Sequence, residues 1–204
     1  MANDQKQKRG NSFNFIIITL IFFAGLAIFQ FFMYRNLQPQ FQVISRDITF
    51  TIYEDLSVDF ATKVEILTEN ERDYETLVEG FNTPDEEKLS LFQQSLDNLK
   101  EQIPRDFVVL SYESTVNSNS PRIYVNETVK LEGLVYRNDR GNIEFSLSGQ
   151  LLSAQNEEVT VSIHYPYGWE VLSVNPTPTY IDQNVIGYSY TGALGYPTIE
   201  FQSK

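Results

Sequence analysis

Between Phe15 and Tyr34 the chain reads FIIITLIFFAGLAIFQFFMY, twenty residues in which Thr19 and Gln30 are the only clearly polar side chains. As a helix this stretch rises about 30 Å, the hydrocarbon thickness of a bilayer. A cleaved signal peptide has a shorter apolar core of roughly 7–15 residues and a small-x-small cleavage site. Here the run ends in Phe31-Phe32-Met33-Tyr34-Arg35, which offers no such site, so the reading is an uncleaved transmembrane helix over 15–34. Lys6, Lys8 and Arg9 precede the span, and Arg35 alone follows it closely. Basic residues collect on the cytoplasmic side. The expected topology is therefore single-pass in the cell membrane, with a cytoplasmic basic tail over 1–14 and the C-terminal part outside.

Lys8-Arg9-Gly10 directly before an apolar helix resembles the processing site of type IV pilin-like precursors, which are cut after the glycine. The resemblance covers about the first 35 residues. It implies a mature chain starting at Asn11, a helix packed in a filament core and a β-rich head. The sequence departs from the pattern in having Phe15 where the fifth mature residue is commonly Glu, and the polar Asn11 after Gly10.

Beyond Arg35 stand 169 of the 204 residues, enough to bury a sizeable core without disulfides. The chain has no cysteine, which excludes thiol catalysis, zinc-thiolate sites and the usual iron–sulfur clusters. The net charge is −12, and the first 35 residues carry +3, so the exterior part carries −15. Such a domain repels phosphate backbones and anionic lipid. Nucleic acid is thereby disfavoured as a partner, and the membrane is expected to be met through residues 15–34 alone.

The exterior part divides into an α+β segment over 40–104 and a β-sandwich-like domain over 105–204, making the fold class α+β and mainly β. Ile44, Ile48, Phe50 and Ile52, then Val58, Phe60, Thr62, Val64 and Ile66, alternate with polar residues around Glu54-Asp55-Leu56-Ser57 and predict a hairpin. Thr68 with Glu71 fits a capping box ahead of the stripe Tyr74, Leu77, Val78 and Phe81. Thr83-Pro84-Asp85-Glu86 reads as a second helix start. Its stripe Leu89, Phe92, Leu96, Leu99 and Ile103 is expected to pack on the domain's own sheet. Strands are predicted over 107–115, 122–136, 142–150, 158–165, 168–174, 184–191 and 197–203. Asn138-Asp139-Arg140-Gly141-Asn142 and Pro166-Tyr167-Gly168 supply turn chemistry between them. No Gly/Ser/Pro-rich linker separates the two segments, so a shared core is open to them.

Candidate chemistry is sparse. His164 is the only histidine and stands in the alternating run Val159–Tyr165, where an ordinary strand residue is expected. Carboxylates are plentiful, but a glycan hydrolase needs two of them facing across a cleft, and nothing singles out such a pair from a solvated acidic surface. Asp139, or Glu54 with Asp55, has the oxygen chemistry calcium takes, but in no EF-hand pattern. No phosphate-binding glycine spacing occurs. Asn126-Glu127-Thr128 is a glycosylation sequon, making Asn126 a candidate modification site. The aromatics Tyr165, Tyr167, Trp169, Tyr188 and Tyr190 are candidate partner-binding residues if exposed on one face. Strands favour such residues for packing as well.

The sequence thus reads as a non-catalytic, membrane-anchored extracytoplasmic protein without a cofactor. A binding or structural module of the cell envelope is expected, with a protein partner in the membrane or envelope. A pilin-like subunit processed after Gly10 and a carboxylate-dependent glycan hydrolase of the envelope are the alternatives.

Overall fold

The period-2 alternation from residue 41 onward is realised as strands in a computed structural model that describes residues 40–100, 105–147, 150–154 and 156–203. The basic tail and the apolar run 15–34, with the topology read from them, lie outside the described residues. Among the described residues no helix is long and apolar enough to cross a membrane.

Strands β1 (Phe41–Ile52) and β2 (Val58–Thr68) form the expected hairpin, with Phe50 opposite Phe60 and Ile52 opposite Val58. The chain reverses where Asp55 accepts from the Ser57 backbone N–H at 2.9 Å and from its hydroxyl at 2.6 Å. These bonds to the ionised form hold the Asp55 carboxyl below its ordinary value. Next along the chain come β3 (Val108–Asn119) and β4 (Arg122–Glu132), and β4 pairs with β2. On the other side, β1 pairs in parallel with β8 (Glu158–His164), which is followed outward by β11 (Val185–Tyr190) and β10 (Tyr180–Asp182). The seven-stranded order is β10-β11-β8-β1-β2-β4-β3, so strands from both sides of the 104/105 boundary share one sheet.

A second sheet, in the order β5 (Val135–Arg137), β6 (Ile143–Ser146), β13 (Thr198–Gln202) and β9 (Glu170–Asn175), packs on one face of the first. Phe145 from it meets Phe50 from the large sheet edge-on, with ring centroids 5.1 Å apart. Ile143, Ile199 and Phe201 join Ile48, Val161, Ile163 and Ile186 in one core. A small pair, β7 (Gln150–Leu152) with β12 (Ala193–Gly195), completes the β structure of the described residues. The fold is thus mainly β, built on a seven-stranded sheet and carrying two short helices.

Helix α1 (Glu71–Phe81) starts two residues later than the capping box suggests. Asn70 is the cap, accepting from the Asp73 backbone N–H at 3.0 Å. Thr68 still belongs to β2, and its hydroxyl donates to the Pro121 carbonyl. Helix α2 (Asp85–Lys100) begins as expected after Pro84, but the Thr83 hydroxyl turns backward and donates to the Gly80 carbonyl at the end of α1. Phe92 and Leu96 bury in the main core, and Leu89 packs at its border. Ile103 lies outside the described residues.

The predicted strand 122–136 is two strands in two sheets, broken at Gly133, whose φ is +93°. The predicted 142–150 run is likewise interrupted after Ser146. β10 and β12, three residues each, were not predicted, because runs that short carry no period.

The registers orient the domain. Phe41, Thr68 and the 119–122 turn share one end of the large sheet. Ile52 leads to the other end, where β8 finishes beside Thr51 and the turn 165–169 comes next. The 138–142 turn joins that end, because Ile143 pairs with Phe201 and the Phe201 ring packs, tilted, against Tyr165 and Trp169.

Candidate functional site

The five candidate partner-binding aromatics are dispersed. Tyr165 is buried, its hydroxyl donating to the Gln183 carbonyl at 2.9 Å and its ring 5.1 Å from Phe201. Trp169 is half-buried, 5.7 Å from the same ring. Tyr188 and Tyr190 project from the inward register of β11, opposite Val161 and Val159. Tyr188 donates to the Pro176 carbonyl at 3.1 Å. Burial raises the hydroxyl pKa of Tyr188 to about 12. Tyr167 differs, standing 88% exposed at the turn-bearing end. Tyr167→Ala is expected to leave stability within about 0.5 kcal/mol of wild type in urea unfolding, so any loss of partner capture reports contact and not folding.

Asn126 is half-buried on the outward face of β4, opposite Lys63 and Thr115, and its amide reaches the Thr115 hydroxyl at 3.4 Å. His164 ends β8 opposite Thr51 and Val185. Asn138 organises the NDRGN turn by accepting from the Arg140 and Asn142 backbone N–H groups at 3.1 Å each. Among the described residues no three His, Cys, Asp or Glu side chains are grouped as metal ligands would be.

The polar chemistry that the fold concentrates lies instead inside it, in two clusters. In the first, Thr62, Glu127 and Ser114 occupy one rung across β2, β4 and β3 on the covered face of the large sheet. The next rung on one side is Phe60, Val129 and Tyr112, and on the other Val64, Val125 and Val116. The polar rung therefore separates the main core from a smaller cluster of Ile66, Leu77, Phe81, Ile123 and Val125 beneath α1. Glu127 is 2% exposed and accepts from the Tyr112 hydroxyl at 2.5 Å through Oε1. Its Oε2 and the Thr62 hydroxyl have no hydrogen-bond partner among the described residues. From α2, Lys88, also 2% exposed, donates to the Phe81 carbonyl at 2.9 Å and the Ser114 hydroxyl at 2.6 Å. Ser114 in turn donates to Asp85 at 2.9 Å, and Asp85 lies 3.6 Å from the Lys88 ammonium.

One buried cation thus faces two carboxyl groups. Burial is the main influence on Glu127, pushing its carboxyl up to about 8, against the smaller opposing effects of Tyr112 and Lys88. Tyr112 is raised too, by burial and by Glu127.

In the second cluster Arg46 donates to Glu157 through Nε at 2.8 Å and Nη2 at 3.0 Å, and to the Leu152 carbonyl at 3.0 Å. The side chains are 8% and 1% exposed. Glu157 also accepts from the Ala154 backbone N–H at 2.5 Å. Glu127 and Glu157 thus accept from different donors, the Tyr112 hydroxyl for the first and Arg46 with the Ala154 N–H for the second.

Neither cluster was singled out in the sequence, although a signal existed. Glu127 interrupts the inward series Ile123, Val125, Val129 and Leu131, and Arg46 precedes the inward series Ile48, Phe50 and Ile52. A charged residue in the buried register of a strand is the mark that identifies such a site.

These features define a two-layer, mainly β domain with a helical cover and a polar interior at two points. The chain belongs to the family described as Domain of unknown function (DUF4897), whose profile matches residues 41–202. Among solved structures, the NMR structure of the folded domain of Mycobacterium tuberculosis LppM has a TM-score of 0.49 at 12% identity, over 83% of this chain and 95% of that one. No curated protein matches by sequence.

Proposed function

We propose that the protein is a non-catalytic, membrane-anchored module of the cell envelope whose domain stands outside the membrane and binds a protein partner or serves a structural role. The observation that carries the reading is the apolar run 15–34, with its basic tail, placed immediately ahead of the domain's first strand. Only residues 35–40 join the two, which holds the Phe41 end near the bilayer. In that arrangement the turn-bearing end with Tyr167, opposite to Phe41 in the sheet, faces away from the bilayer.

The test uses sealed native membrane vesicles and the intact mass of the mature protein. Protease added to right-side-out vesicles is expected to remove the domain while inside-out vesicles protect it; the reverse pattern overturns the topology. A mature chain starting at Met1 or Ala2 supports a permanent anchor. A start at Asn11, together with filaments, replaces this reading with the pilin-like one.

A further inference from the structure

The helical cover rests on the sheet across a polar seam, and the two sides of that seam are not equally free to move. Glu127 stands on β4, which is paired along its length with β2 and β3, so displacing it breaks ladder bonds on both sides. Helices α1 and α2 satisfy their backbones internally and are held to the sheet by side chains. Leu77 and Phe81 bury in the smaller cluster, and Lys88 bridges the seam. The groups facing Glu127 are Tyr112 from β3, Lys88 and Asp85 from α2, and the uncharged Thr62 from β2. Lys88 is already engaged by the Phe81 carbonyl, Ser114 and Asp85. Among the described residues Lys88 is the one cation acting on Glu127, so a second negative charge on this seam is costly while the carboxyl stays covered.

We propose that Glu127 is a proton-operated latch: its protonated carboxyl keeps α1 and the first turns of α2 seated on the sheet, and loss of the proton to solvent lifts them, uncovering the apolar cluster around Ile66, Ile123 and Val125. Linkage sets the sign. A carboxyl whose value is about 8 when covered and near the ordinary 4.5 when hydrated binds more protons in the seated state. Its contribution to seating is complete in acid, is lost as pH rises across that interval, and changes no further above it. The opening equilibrium of the cover is therefore expected to grow about tenfold per pH unit between roughly pH 5 and 8.

Native-state hydrogen exchange of the full-length protein in detergent micelles, corrected for the intrinsic pH dependence of exchange, tests this. Amides of α1 and early α2 are expected to lose protection from pH 5 to 8 while those of β1, β2 and β8 keep theirs. Glu127→Gln, which keeps the shape of the protonated group, should abolish the pH dependence and leave the helices protected throughout. Equal pH dependence in wild type and variant, or none in wild type, overturns the latch. Should the variant fail to fold, carboxyl carbon-13 titration of the wild-type chain decides. A glutamate titrating near pH 8 in step with α1 exchange supports the proposal, and the lack of any glutamate titrating above pH 6 overturns it.

Discussion

Replacing Arg46 by alanine should destabilise the domain by roughly 3–5 kcal/mol, read as a lowered urea midpoint at unchanged slope. The size of the effect comes from what stays behind. Glu157, with a side chain 1% exposed, would lose both charge-assisted bonds from the guanidinium and keep, among the described residues, the N–H of Ala154. The Leu152 carbonyl would lose its donor as well. Glu157→Ala should be similarly costly, because it removes the carboxylate that neutralises a buried guanidinium. The paired replacement Arg46→Leu with Glu157→Leu should recover most of the loss, since an apolar pair of similar bulk leaves no buried charge. A double variant no better than the sum of the singles would mean that Arg46 and Glu157 act independently.

Gly133→Ala is expected to cost roughly 3–5 kcal/mol, from a left-handed backbone and a steric collision acting together. At φ +93° a side chain is disfavoured whatever the space around it. Here there is none, because an added Cβ would stand 2.0 Å from the Asp106 carbonyl oxygen. Backbone cannot turn aside as a flexible side chain does, so the crossing from β4 into β5 would have to shift. Gly141 is the control. It also has positive φ, but an added Cβ meets nothing within 4 Å, so Gly141→Ala should carry the conformational cost alone. Thermal unfolding of the two variants side by side separates collision from conformation, and equal losses would rule the collision out.

Legibility in the sequence tracked the range of the interaction responsible. The β1–β2 hairpin, both helices and most strands were readable because side-chain period and turn chemistry act over a few residues. The helix caps were less so. Thr68 and Asn70 are both competent to cap, and the choice was made by the Pro121 carbonyl, which is distant in sequence and takes the Thr68 hydroxyl. The aromatic segment showed the same limit, for composition alone could not say that Tyr165 and Tyr188 turn inward while Tyr167 turns out.

The sequence by itself determined the apolar run with its basic flank, the acidic balance of the residues beyond Arg35, and a mainly β architecture with two helices. Each is a property of composition or of neighbouring residues. Only the tertiary structure decided the parallel pairing of β1 with β8, the change of sheet at Gly133 and the two buried polar clusters. Arg46 meets Glu157 across 111 residues of chain, and Glu127 acquires Lys88 as a neighbour only when α2 is laid on the sheet. Whether a charge is buried, and what faces it there, is set by contacts between distant segments, and no local period records them.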